Sequence, residues 1–146
     1  MKKNKTSKSW LIKQNRDPYF KQSKIKGYRS RSAFKLIEMN KKFKFLKKNT
    51  SLLDLGSSPG GWSQVASNEI SNGKILAVDI ISMEKIKNVD FINGDSFNNE
   101  TNKKIKLYFE KIKPDVVISD MATNTTGNKD LDSFRTGELC INAMHL

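Results

Sequence analysis

The chain has 146 residues, one cysteine, one histidine and a formal net charge of +12. That suits a single domain with one core and excludes an internal disulfide, a multi-cysteine zinc site and histidine-rich metal chemistry. No run of about 18 apolar residues could cross a bilayer and no apolar secretory signal follows the basic start, so a cytoplasmic, metal-free monomer is expected.

Residues 1–28 read as a basic, weakly structured arm that carries Trp10, Tyr19 and Phe20 among its lysines. Between Lys2 and Lys48 the only acids are Asp17 and Glu38. So basic a stretch neutralises phosphates and releases counterions, which suits RNA or DNA. A solvated tail is the plainer alternative, and the excess of Lys, Asn and Ile also fits an AT-rich genome. From Ser30 the pattern becomes helical, with Phe34, Leu36, Ile37 and Met39 spaced for one apolar face up to Phe43.

Four apolar segments of strand length follow. They are Leu52–Leu55, Ile75–Val78, Val89–Ile92 and Val116–Ile118. Helices are expected over residues 61–70, stopped by Ser71-Asn72-Gly73, then over 105–112 and 133–146. Strands that alternate with helices imply right-handed crossovers and a doubly wound, mostly parallel α/β sheet. Ligands of such sheets bind outside the carboxyl ends of the strands. Gly56, Asp79, Asp95 and Asp120 all fall there.

The segment Asp54-Leu55-Gly56-Ser57-Ser58-Pro59-Gly60-Gly61-Trp62 is the most specific feature. Its glycines let the chain turn sharply and let backbone approach a ligand at a helix start. It is no dinucleotide fingerprint, because Ser58 fills the second glycine place, and no P-loop, because Trp62-Ser63 replaces the Lys-Ser/Thr pair. An ordinary strand-to-helix turn is the competing reading. Asp79, about 20 residues on, sits where an acid accepts hydrogen bonds from ribose hydroxyls. Asp95 could accept from an adenine amino group, although Asn-Gly-Asp by itself is more commonly just a turn. Taken together, loop, ribose acid and turn acid describe a pocket for an adenosine without phosphates, and S-adenosyl-L-methionine suits it.

Three segments in register carry a resemblance. Leu53 to Gln64 closely resembles the cofactor loop of the FtsJ/RrmJ (RlmE) RNA methyltransferases. Tyr28-Arg29-Ser30-Arg31-Ser32-Ala33-Phe34-Lys35-Leu36 resembles that family's catalytic-lysine segment, and Val116-Val117-Ile118-Ser119-Asp120-Met121-Ala122 its catalytic-aspartate strand. The likeness runs from about Ser9 to the end of the chain. It implies a Rossmann-like class I methyltransferase fold over residues 29–146. It also implies transfer of a methyl group to a ribose 2′-hydroxyl, of a uridine, in 23S large-subunit ribosomal RNA within the assembled subunit. Gly60, Trp62, Asp79, Asp95 and Asp120 would bind the cofactor. Lys35 and Asp120 would be the first two members of a Lys-Asp-Lys-Glu tetrad.

A lysine accepts a proton only when neutral, against a free pKa of about 10.4, so burial or a second cation is expected near Lys35. The competing readings are a solvent-exposed helix lysine for Lys35 and a helix cap for Asp120. The family's second lysine and its glutamate lie beyond Leu146, and neither Lys129 nor Glu138 takes those roles. Thr123 stands where the family usually has proline, which leaves RNA contacts around Asn124 open. The expectation is therefore a fold lacking its last strands, with an unpaired sheet edge, marginal stability and poor activity. An RNA- or ribosome-binding remnant without methyl transfer is the alternative function; a small-molecule or protein methyltransferase is another. Cys140, beside Leu139 and Ile141, is expected in the core.

Overall fold

The computed structural model describes residues 17–110, 113–121 and 127–145. The first sixteen residues of the arm, with Trp10, lie outside these, as do Ala122, Thr123 and Asn124. Within the stretch read as weakly structured, Pro18–Ile25 forms a helix, α1. Asp17 caps it by accepting hydrogen bonds from the backbone N–H groups of Tyr19 and Phe20, and Pro18 occupies the first turn. Asp-Pro is a helix-start signal, since proline has no N–H to leave unsatisfied there. The surrounding lysines hid it.

The second helix, α2, covers Ala33–Phe43 and buries Ala33, Phe34 and Leu36. Strand β1 is Leu52–Leu55, followed by α3 over Gly61–Glu69 and β2 over Ile75–Asp79. Then come β3 (Asp90–Asn93), α4 (Asn99–Tyr108), β4 (Val116–Ser119) and α5 (Lys129–His145). Helix α4 starts well before the expected Ile105 because Asn98 caps it, accepting from the Glu100 N–H, while its polar first turns hide the apolar period. Helix α5 likewise begins at Lys129, where Asn128 accepts from the Asp130 N–H.

The four strands are all parallel, in the order β3-β2-β1-β4. The order reverses beside β1, which makes its carboxyl end, next to that of β4, the topological switch point. Side chains alternate between faces. Leu52, Ile75, Ala77 and Ile118 pack with Ala33 and Leu36 of α2 and with Trp62, Val65 and Ala66 of α3. Leu53, Leu55, Leu76 and Val78 pack on the other face with Ile105 of α4 and with Phe109. These clusters are the doubly wound core expected from the sequence.

A further expectation fails. Cys140 is exposed. Among the described residues the core clusters meet α5 only at Ala143, and Leu131, Phe134 and Ile141 of that helix are exposed too. Strand β4 is an edge of the described sheet, with Val117 40% exposed.

Candidate active site

The glycine loop joins β1 to α3 across the top of the sheet. Gly56 has φ +68° and Gly60 φ +106°, both in the left-handed region that glycine adopts without a steric penalty. A Cβ on Gly56 would collide with the Met121 side chain after β4. The Ser58–Pro59 bond is cis. The N–H groups of Gly56 and Ser57 donate to the Val78 carbonyl, and the Ser58 N–H donates to Asp79 Oδ2 at 2.8 Å.

Below the loop lies Asp54, 1% exposed. Strand alternation sends its side chain to the α3 side of the sheet, where it accepts a 2.6 Å hydrogen bond from Ser63 Oγ. Burial pushes its carboxyl up to about 7; the Ser63 hydrogen bonds oppose this and the charges of Asp79 and Asp120 add to it. Asp54 thus ties the first turn of α3 to β1. The sequence reading gave it no role, although an acid amid Leu52, Leu53 and Leu55 is itself a signal, because a buried carboxylate demands a partner.

Arg29 is a second omission. Its guanidinium donates to the carbonyls of Glu84 (2.7 Å), Lys85 (3.0 Å) and Pro59 (3.2 Å). Its backbone N–H donates to Gln64 Oε1, and Gln64 Nε2 reaches the Gly27 carbonyl. The segment before α2 is thereby fastened to the glycine loop, to α3 and to the loop after β2. That clamp sets where α2, and so Lys35, sits.

Asp79, Asp95 and Asp120 meet around one 410 Å³ cleft, with Gly56, Ile81 and Phe97 also in its wall. Asp79 Oδ1 accepts from the Ile81 N–H, so each of its oxygens holds one backbone hydrogen bond. A carboxylate has about four acceptor positions, which leaves room for two ribose hydroxyls. Asp95 Oδ1 accepts from the Phe97 N–H in a turn. Among the described residues no lysine or arginine lines the cleft. Three carboxylates among apolar walls fit a cationic sulfonium on an uncharged nucleoside and oppose a phosphate.

A narrow 50 Å³ crevice shares Gly56, Ser58 and Asp120 with this cleft and runs to Gly61 and Trp62 at the start of α3. The Trp62 indole is 7% exposed and donates to the Ser32 carbonyl. It packs under α2, so the main cleft does not reach it. Gly60 lines neither space; it turns the chain into α3 against Ile86 and Arg29.

On the far side of Asp120 a third cleft, of 440 Å³, is lined by Tyr19, Arg31, Lys35 and Glu38 among others. Lys35 Nζ lies 3.0 Å from Asp120 Oδ1, across 85 residues of sequence. The Lys35 side chain is 66% exposed, so the expected burial of this amine is not provided by the described residues. A larger cavity of 750 Å³ opens elsewhere, between the α2–β1 loop and the start of β4. It is lined by none of the expected site residues and lies at the amino ends of the strands, away from the switch point.

A family model for FtsJ-like methyltransferases matches residues 28–146. The chain is 52% identical over 145 residues to the ribosomal RNA large subunit methyltransferase E of Pelagibacter ubique, covering 99% of this chain and 71% of that protein. It is 43% identical to the protein of the same name from Rickettsia akari, covering 95% of this chain and 63% of that one. A crystal structure of a ribosomal RNA methyltransferase from Plasmodium falciparum superposes with a TM-score of 0.75 at 38% identity. That match covers 81% of this chain and 69% of the other.

Proposed function

Because the chain belongs to the FtsJ-like methyltransferase family, we propose that it moves a methyl group from S-adenosyl-L-methionine to a ribose 2′-hydroxyl of large-subunit ribosomal RNA. The observation that carries this reading is the position of Asp120, which borders both the acidic nucleoside cleft and the cleft that holds Lys35. A group bound on one side and a hydroxyl bound on the other meet at that carboxylate.

When bound, the cofactor supplies a methyl group already activated by positive sulfur. Asp79 and Asp95 would hold its ribose and adenine, and Gly61 and Trp62, which line the narrow crevice, would hold its amino-acid end. Gly60 acts through the turn it makes. Asp120 orients the Lys35 amine by a 3.0 Å hydrogen bond. Lys35 Nζ is the group placed to receive the hydroxyl proton, which it can take only as the neutral amine. Much of the acceleration comes from holding the two reactants in line, since the leaving group needs no further activation. Ribosomal RNA as the substrate takes support from the names of the relatives, and the 2′-hydroxyl takes support from the lysine–aspartate pair. A uridine within the assembled subunit is the acceptor we assign by the same family argument.

The test is methyl transfer from radiolabelled cofactor to large ribosomal subunits that lack the modification, with the product mapped by resistance to alkaline cleavage. Label at one ribose, lost in Lys35→Ala and Asp120→Ala, is the expected result. Label on a base or a protein would overturn the reading. Salt-sensitive RNA binding with no transfer would favour a role in binding alone.

A further inference from the structure

Tyr19 and Arg31 share the cleft of Lys35 and Asp120, and neither has a place in the chemistry described so far. Tyr19 comes from α1 and is 51% exposed. Its centroid stands 5.7 Å from that of Phe34, with the planes tilted by 47°. Phe34 therefore backs the ring without covering it. The Arg31 side chain is 66% exposed and pairs with Asp17 through Nη1. Its other guanidinium N–H groups have no recorded partner among the described residues. Asp17 serves both neighbours: one carboxylate oxygen caps α1 at Tyr19, and the other holds Arg31. The Arg31 guanidinium in turn keeps the Asp17 carboxyl below its ordinary range. A single acid thus caps the helix end that carries Tyr19 and holds the Arg31 fork beside the reacting pair.

We propose that this cleft is the acceptor-nucleotide site, in which Tyr19 stacks against the base and Arg31 binds an adjoining phosphate. The assignment rests on the 2′-hydroxyl reading above. A ribose brought to Lys35 and Asp120 carries its base and phosphate with it, and both must lie within one nucleotide of the amine. The 440 Å³ cleft falls within the common range of small-ligand sites, roughly 300–1,000 Å³. Unpaired RNA bases are held by stacking on aromatic rings, and the planar fork of arginine matches two phosphate oxygens. Glu38, also in the wall, repels phosphate, which places the phosphate at the Arg31 end and the base across Tyr19.

The experiment uses the full chain and a single-stranded oligouridylate carrying one 5-iodouridine. It measures equilibrium affinity, the salt slope, the photocrosslinked residue and, in parallel, S-adenosyl-L-methionine binding by calorimetry. The expected crosslink is to Tyr19. Tyr19→Phe keeps wild-type affinity, whereas Tyr19→Leu, which retains apolar packing on Phe34, weakens binding roughly 5- to 100-fold. Arg31→Gln lowers the salt slope by about one phosphate contact. All three variants bind the cofactor normally. A crosslink at another residue, or wild-type RNA affinity in Tyr19→Leu, overturns the clamp and leaves the methyl-transfer reading standing. Wild-type protein that binds no oligouridylate overturns the clamp, while the methyl-transfer reading is decided separately by transfer to ribosomal subunits. Should Tyr19→Leu lose cofactor binding as well, the wild-type crosslink alone decides.

Discussion

Asp54 is an acid buried inside the sheet, 1% exposed. Its carboxyl, pushed up to about 7 chiefly by burial, holds a proton in the folded chain at pH values where the unfolded chain has lost it. A group shifted upward adds stability that is complete below its unfolded pKa, near 3.9, and disappears as pH rises through the folded value. The melting temperature of the wild type should therefore fall between about pH 4 and 7 relative to Asp54→Asn, which cannot titrate. Equal pH profiles for the two proteins would show that Asp54 is not the cause. Asp54→Ala leaves Ser63 Oγ without its 2.6 Å partner and should lose about 1–3 kcal/mol in denaturant unfolding, the usual cost of a buried unsatisfied polar group. At the other end of the loop, Asp79→Ala should weaken S-adenosyl-L-methionine binding by roughly 10- to 100-fold, as expected for lost hydrogen bonds to a charged acceptor. Calorimetry reads that change directly, and unchanged affinity would remove Asp79 from the cofactor site. These effects belong to single side chains and their immediate partners.

Helix starts and loop turns set the next scale. Asp17→Ala removes the cap of α1 and should cost about 1 kcal/mol, visible as a lower urea midpoint. The same variant should loosen Arg31, which has no other acid beside it among the salt bridges of the described residues. Gly60→Ala forces a non-glycine residue to φ +106° and brings its Cβ to 2.7 Å from the Ile86 side chain. We expect a loss of about 1–2 kcal/mol, in line with other left-handed positions, together with weaker cofactor binding because the turn into α3 must shift. Stability and cofactor affinity equal to wild type would mean that the loop tolerates the change. The glycine loop, its helix and the flanking strands were plain from the sequence because glycines, short apolar runs and stop signals coincide there. Helix α1 and the first turns of α4 were not. Their caps, Asp17 and Asn98, lie in polar surroundings where apolar periodicity gives no contrast.

For the molecule as a whole, charge dominates. With a net charge of +12, RNA affinity should drop steeply as salt rises, since each neutralised phosphate releases counterions. Cofactor binding, in a cleft lined by acids and apolar groups, should change little over the same range. A titration of both ligands between about 50 and 200 mM salt separates them, and parallel curves would contradict the division of the surface proposed here. No helix among the described residues is long and apolar enough to cross a membrane.

From α2 onward the order of strands and helices, the parallel sheet, the switch-point loop and the family were determined by the sequence, because each depends on local periodicity, turn chemistry or motif spacing. The same motifs named Lys35 and Asp120 as partners, though only folding brings them 3.0 Å apart. Tertiary structure alone decided what spans distant segments. It placed the Trp62 indole under α2, fastened Arg29 to two loops and to α3, seated the Asp54 carboxyl beneath α3 and turned Tyr19 and Arg31 towards Lys35. It also left Cys140 exposed. The physical reason is that a side chain's partner in these cases lies on another element, and a local pattern records which face a residue occupies but not which neighbour that face will meet.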